Sequence, residues 1–247
     1  AATALDDTSG NSFAGISDTT TLNFTAADSA GPAIASSSPA DNATGVAVDA
    51  NIILTFDENV VVGSGNITLK KSSDNSTVQA MPVGGGNVSA SGAVVTINPS
   101  ANLDSSQGYY IQIAATAFDD ASGNSYAGIN DTTSLNFTAA DVLGPTLSSS
   151  SPADNATGVA GSANIVLTFN ENVVLGSGNV SLYKTNGTLV EAMNVSSSAV
   201  TASTNTVTIN PTANLVTLEG YYILVDATAI KDASDNSYAG IGSSSVL

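Results

Sequence analysis

Carboxylates that recur at matched positions are the side chains of this chain best equipped for chemistry. Asp28, Glu58 and Asp120 come back as Asp141, Glu171 and Asp232, and the D-x-x-x-N segments opened by Asp120 and Asp232 add Asn124 and Asn236. Asp57 stands beside Glu58, and Asn170 takes its place beside Glu171. Carboxylate and amide oxygens without a nitrogen or sulfur donor are the ligand set of Ca2+, which gathers about six to eight oxygens. Zinc and copper sites draw on His or Cys, and the chain has neither. The candidate ligands are therefore Asp28, Glu58 and Asp120, with Asp141, Glu171 and Asp232 as their counterparts, followed by Asp57, Asn124 and Asn236. No EF-hand loop or Ca2+-binding nonapeptide repeat is present, so such a site has to be assembled from separate loops. The competing reading is that Asp and Asn in P-A-D-N and D-A-S-G-N only shape Asx turns.

Catalysis has little to work with. His and Cys, the usual bases and nucleophiles, are missing, which leaves a carboxylate pair of the glycosidase kind. Asp57-Glu58 becomes Asn170-Glu171 in the second copy, a change such a pair would not survive if both copies worked, and no enzyme activity is expected. Four Lys stand against 21 acidic residues, for a net charge of −17. That field repels phosphate backbones and anionic lipid, so neither nucleic acid nor a membrane surface is an expected partner, whereas divalent cations are. No apolar run reaches the length that crosses a bilayer.

The elements that must hold these residues are repeated with them. Residues 1–28 return at 114–141 with 23 of 28 positions identical, and 36–69 return at 149–182 with 27 of 34 identical, both at a spacing of 113. From Gly108-Tyr109-Tyr110 to Gly220-Tyr221-Tyr222 the spacing is 112. A fixed period of this length is a structural unit, so the site belongs to the unit or to the joint between units. The chain divides into 1–28, the C-terminal part of one repeat; 32–141, a complete repeat; and 145–247, a repeat lacking its last strand residues. Residues 1–28 are expected to pair with another chain segment or to stay loose.

Within the unit, short alternating apolar runs separated by Gly, Pro, Asn, Asp and Ser clusters predict antiparallel strands and no helix. The runs are 33–38, 51–56, 66–71, 77–81, 93–98, 109–116 and 133–139. About seven antiparallel strands in this length predict an all-β protein of tandem immunoglobulin-like sandwiches. Ile52, Leu54 and Phe56 share one face, as do Tyr109, Ile111 and Ile113, and Leu135 and Phe137, and all are expected in the core. Tyr109 and Tyr221 are read as core tyrosines with their hydroxyls tied to a nearby turn. Strand alternation places the loops at 57–65 and 118–131 at the pole that meets the incoming linker. That pole gathers Asp57, Glu58, Asp119, Asp120 and Asp131 with Asp28, and in the next copy Asn170, Glu171, Lys231, Asp232 and Ser243 with Asp141. Asp41, Asp49 or Asp104 of the preceding repeat is expected to close the site from above. Pro32 and Pro145 predict a stiff joint.

The ordered blocks S-S-S-P-A-D-N-A-T-G-V, I-x-L-T-F-x-E-N-V, V-T-I-N-P, G-Y-Y-I and D-A-S-G-N resemble the bacterial Ig-like repeat of S-layer proteins, the SbsA type. The resemblance covers the whole repeat. It implies a secreted or cell-surface setting and a tandem array inside a large adhesin, S-layer or other surface protein. The expected function is a structural spacer whose first partners are the neighbouring repeats of its own chain, with Ca2+ stiffening each joint. The alternatives are an adhesive module for a surface glycan or protein, and a self-assembling S-layer or filament subunit. Any partner-specific contact is expected in the most divergent stretch, 72–92 against 185–204. Lys70-Lys71, Pro82 and Gly84–Gly86 fall where an edge strand would need blunting against lateral association.

Overall fold

A computed structural model describes residues 5–243. Those residues are all-β, with strands and turns and no helix. In the first repeat the strands are β1 (Ile34–Ser38), β2 (Ala43–Val46), β3 (Ile52–Phe56), β4 (Val61–Val62), β5 (Asn66–Lys71), β6 (Thr77–Pro82), β7 (Val88–Ser91), β8 (Val94–Ile97), β9 (Gly108–Ile113), β10 (Phe118–Asp119) and β11 (Asn136–Ala139). One sheet runs β1-β3-β8-β7 and the facing sheet runs β2-β11-β9-β5-β6, while β10 and β4 form a small third sheet.

All seven predicted runs contain a strand, and four more strands appear that alternation did not reveal. β2 carries Gly45 at φ 67, and β7 reads Val-Ser-Ala-Ser in a Gly- and Ser-rich stretch that looks like a loop. β4 and β10 are two residues each, too short for any period to show. The pairing is antiparallel except that β2 lies parallel to β11.

The second repeat repeats this plan with β12 (Leu147–Ser151), β13 (Ile165–Phe169), β14 (Val174–Leu175), β15 (Asn179–Lys184), β16 (Leu189–Asn194), β17 (Val200–Ser203), β18 (Thr206–Ile209), β19 (Tyr221–Val225) and β20 (Ile230–Lys231). Its sheets are β12-β13-β18-β17, β14-β20 and β16-β15-β19. At the spacing of 112 the counterpart of β11 falls after Leu247. Residues 156–159, the counterpart of β2, lie in no strand.

Alternation places the core as expected. Ile52, Leu54, Phe56, Tyr109, Ile111, Ile113, Leu135 and Phe137 are all buried in one cluster, and Leu167, Phe169, Ile223 and Val225 in a second. Tyr109 stacks on Phe137 with centroids 5.9 Å apart, and its hydroxyl oxygen accepts the Asp104 N–H at 2.8 Å. The Tyr221 hydroxyl likewise accepts the Val216 N–H at 2.9 Å. Tyr109→Phe removes one such bond at a turn that water can reach, so urea unfolding of the first repeat is expected to show a loss of about 0.5–1.5 kcal/mol. Tyr110, on the other face, is buried beneath Lys70 and donates its O–H to Asn75 Oδ1 at 3.1 Å.

Residues 5–31 are exposed throughout. Two turns nevertheless form there. Asp7 accepts from the Ser9 and Asn11 N–H groups and from the Asn11 amide, and Asp18 accepts from Thr20 and Thr21. These are the bonds Asp120 and Asp131 make in the packed repeat, so the turn geometry is written locally and needs no sandwich around it.

Candidate metal centre

Asp120 is the floor of the site and its position follows from its own loop. Its Oδ1 accepts the Ser122 and Asn124 N–H groups at 2.8 Å each, and its Oδ2 accepts the Asn124 side-chain amide at 2.7 Å. Asp232 repeats the set with Ser234 and Asn236, at 2.8 Å throughout. These are the only charged residues among those described that are buried, at 2% and 3% exposed. Burying a carboxylate is tolerated because its lone pairs are taken up by fixed donors. Donation by the Asn124 side chain, then by backbone N–H groups, holds Asp120 below the usual carboxylate range.

Glu58 reaches Asp120 because the small third sheet staples their loops together. Val61 pairs with Asp119 and Val62 with Phe118, so the turn after β3 is tied against the strand that runs into Asp120. In the second repeat Val174 pairs with Lys231 and Leu175 with Ile230, carrying Glu171 to Asp232.

The linker supplies the third carboxylate through a close backbone approach. A Cβ on Gly31 would collide with the Ser125 carbonyl, and one on Gly144 with the Ser237 carbonyl. Only glycine lets the linker pass this near the D-x-x-x-N loop. Pro32 and Pro145, which follow, are buried. Gly144→Ala is expected to push the linker away from the second repeat without touching either core. The check is amide hydrogen exchange, in which linker and 232–237 amides lose protection while those of β13 and β18 keep theirs.

The result is two groups, Asp28–Glu58–Asp120 and Asp141–Glu171–Asp232, each offering one oxygen per residue with all three atoms within 4.8 Å of one another. Desolvation first, and then Asp120, Asp28 and Asp57, push the Glu58 carboxyl up. Burial and then Asp141 and Asp232 push Glu171 up. Asp141 is held below its usual range by the Ser105 hydroxyl and then by the Leu143 N–H. Each group is thus a set of like charges in which the aspartates are fixed by donors and the glutamate bears the repulsion.

The two groups differ in enclosure. Asp28 is exposed and Asp141 half-buried, since Asp141 accepts from Ser105 of the preceding repeat at 2.9 Å while its carbonyl accepts the Asn236 amide at 3.2 Å. Ser105 is a hydroxyl and lies outside a candidate set of carboxylate and amide oxygens. Asp41, Asp49 and Asp104, expected to close the site from above, are in neither group, and Asp49 is exposed. Asp104 pairs with Lys71 at 2.7 Å, and Asp41 accepts from the Asn136 backbone and amide at 3.0 Å.

Three further candidates take defined places around the groups. Asp57 turns its Oδ1 to the Ala33 N–H at 2.8 Å, and Asn170 does the same for Thr146 at 2.7 Å. That bond needs only one carbonyl-like oxygen, which explains why Asn can replace Asp there. Asn124 and Asn236 are clamps: the side-chain amide donates to the aspartate, and the backbone carbonyl accepts that aspartate's N–H at 2.9 and 3.0 Å. Nearby charges vary between repeats, with Asp119 becoming Lys231, which pairs with Asp235 at 2.7 Å. The three grouped carboxylates do not vary.

An all-β sandwich with Ig-like strand order, repeated in tandem and joined through a short docked linker, defines a class of modular β-domain protein. The chain matches the bacterial Ig-like domain over residues 28–139 and again over 141–245, and it belongs to that family. The crystal structure of the S-layer protein SbsC is similar over 77% of this chain and 25% of its own length, at 13% identity and a TM-score of 0.30. The N-terminal part of the same S-layer protein is similar over 81% of this chain and 44% of its own, at 13% identity and a TM-score of 0.31. The chain therefore spans less than half the length of either structure. No curated protein matched it.

Proposed function

We propose that this chain is a structural spacer segment of an extracellular or cell-surface protein, and that Ca2+ held by Asp28–Glu58–Asp120 and Asp141–Glu171–Asp232 stiffens the joints. The observation that carries the reading is the recurrence of the same three carboxylates, drawn from the linker and two loops of the following repeat, at both joints. A cation there offsets the repulsion borne by the glutamate and ties the linker to the repeat, converting a tether into a fixed hinge. The Ser105 contact couples that tie to the preceding repeat. Glu58 and Glu171 supply charge, Asp120 and Asp232 supply pre-oriented oxygens, and Asp28 and Asp141 supply the link.

Among the described residues no helix is long and apolar enough to cross a membrane. Small-angle scattering tests the reading directly. The maximum dimension of the chain in millimolar Ca2+ should exceed that in EDTA, with a narrower spread of shapes, and equal profiles in the two buffers would sink the joint-metal account.

A further inference from the structure

The repeat loses one residue between its two copies, and the loss falls at a hairpin tip. β5 and β15 match at a spacing of 113 and β6 and β16 at 112, so the tip 72–76 becomes 185–188. In the first repeat the Asn75 N–H donates to the Lys71 carbonyl at 3.0 Å, Asn75 takes φ 59, and Asp74 Oδ1 accepts the Ser76 N–H at 2.9 Å. In the second the Gly187 N–H donates to the Lys184 carbonyl at 2.8 Å, Gly187 takes φ 88, and Asn186 Oδ1 accepts the Thr188 N–H at 3.0 Å. Asn186-Gly187 thus holds the place of Asp74-Asn75 in a turn one residue tighter. A short hairpin loop that ends in a left-handed residue favours glycine there.

We infer that Asn186 is a self-modifying site, at which the Gly187 backbone nitrogen displaces ammonia from the side-chain amide and water then converts residue 186 to aspartate or isoaspartate. Asn186-Gly187 is the one Asn-Gly step in the sequence. Glycine has no side chain to obstruct the approach of its own nitrogen to the preceding side chain, and no atom lies within 4 Å of the place a Cβ would take. Residues 185–190 are exposed, so water and hydroxide reach the turn. The Thr188 N–H polarises the Asn186 side-chain carbonyl toward attack. The Gly187 bond to the Lys184 carbonyl has to open first, and a solvated hairpin tip opens locally at small cost.

The step needs only water. Hydroxide takes the Gly187 amide proton, the nitrogen bonds to Asn186 Cγ, and the Cγ–Nδ2 bond breaks as Nδ2 leaves with a proton as ammonia. Water opens the resulting succinimide at either carbonyl, and the net change is asparagine plus water to a carboxylic acid plus ammonia. The aspartate product fits the turn, because Asp74 already occupies this place in the first repeat with the same bond to the backbone. It also sets a carboxylate two residues from Lys184, whose ammonium pairs with Glu219 at 3.1 Å. Isoaspartate instead adds a methylene to the backbone, and the Lys184–Gly187 and Lys184–Thr188 bonds that close the tip lose their register. The first repeat carries the aspartate from the start, so the modification distinguishes the second repeat from the first.

The test is incubation of the whole chain in warm, mildly alkaline buffer, followed by peptide mapping with mass spectrometry and enzymatic methylation of isoaspartate. Asn186 is expected to lose ammonia about tenfold faster than any other asparagine, the effect of a small steric barrier on a rate, and the rate should rise in proportion to hydroxide. Ion exchange should show a species more acidic by one charge. Gly187→Asn restores the residue that holds this place in the first repeat, where Asn75 takes the left-handed conformation, so the turn should keep its shape. Its side chain should slow the loss at Asn186 about tenfold. Asn186→Asp should melt with wild type. Modification at Asn186 no faster than at Asn75 would overturn the inference, as would a rate that Gly187→Asn leaves unchanged. An Asn186→Asp chain that melts well below wild type would overturn the fit of the product to the turn.

Discussion

Millimolar Ca2+ added to the metal-free chain is expected to raise its melting temperature by about 10 °C, and Glu171→Gln to reverse sign between the two conditions. A ligand that binds only the folded state at about a hundred times its dissociation constant adds about 2.7 kcal/mol. For a domain of this size each kcal/mol moves the melting temperature by about 4 °C. Without metal, Glu171 is a carboxylate crowded by Asp141 and Asp232, and its proton affinity in the folded state lies above the ordinary 4.5. Between the unfolded and folded values the folded state holds more protons, so stability falls as pH rises through that window and stays low at neutrality. Glutamine removes this penalty and should stabilise the chain in EDTA. With Ca2+ the same substitution removes a ligand and should destabilise it relative to wild type.

Asp141 works in the opposite sense. Its folded-state value lies below the ordinary 3.8, so its contribution is complete above 3.8 and is lost as pH falls through the lower value. For these two groups the metal-free chain is expected to be most stable between the ordinary values of 3.8 and 4.5, and Ca2+ bound at the group is expected to move the optimum toward neutrality. Calorimetry of wild type and Glu171→Gln in both buffers across that range checks all of this. If Glu171→Gln changes stability in the same direction with and without metal, the carboxylates are turn formers and surface charge only.

Phe56→Ala is expected to cost the first repeat about 3–5 kcal/mol, as truncating a buried aromatic generally does. That is a large share of the roughly 5–15 kcal/mol that holds a domain folded. Phe56 is buried at the end of β3 and meets two other rings, Phe118 at 5.5 Å and Tyr126 edge-on at 5.3 Å. Each ring stands at the base of one part of the site: Phe56 leads into Asp57-Glu58, Phe118 into Asp119-Asp120, and Tyr126 closes the loop clamped by Asn124. Burial pushes the Tyr126 hydroxyl up to about 12, as expected for a phenol enclosed under this pole. Truncating Phe56 therefore opens a cavity directly beneath the carboxylates. The loss should appear in urea unfolding of the first repeat and also as weaker Ca2+ binding at Asp28–Glu58–Asp120, with the second repeat unaffected. There the pair is Phe169 with Tyr238 at 5.2 Å, and Ile230 replaces the third ring. A cost under about 1 kcal/mol would mean that the pole does not rest on this cluster.

Much of the arrangement was legible in the residues, for identifiable reasons. Core positions such as Ile52, Leu54 and Phe56 announced themselves because side chains alternate along a strand, a property of the chain alone. The tyrosine tied to its turn was legible from a large amphipathic side chain set among core residues. β4 and β10 were not legible, since two-residue strands exist only by virtue of each other. Ser105 was missed because a hydroxyl gives no sign of function until something is placed opposite it. Asp57 resembled Glu58 in sequence, and only the Ala33 N–H standing across from it distinguishes a backbone cap from a member of the group.

The sequence by itself determined the repeat, the β class, the inward faces, the turns at Asp7, Asp120 and Asp232, and the absence of His and Cys. All of these are one-dimensional: identity at a spacing, alternation, local hydrogen bonding and composition. Only the tertiary structure decided which carboxylates meet. The distances among Asp141, Glu171 and Asp232 are set by the β14–β20 register and by how closely the linker glycine lies on the Ser237 carbonyl. Those contacts join residues far apart in the chain, and nothing in either partner read alone encodes where the other will stand.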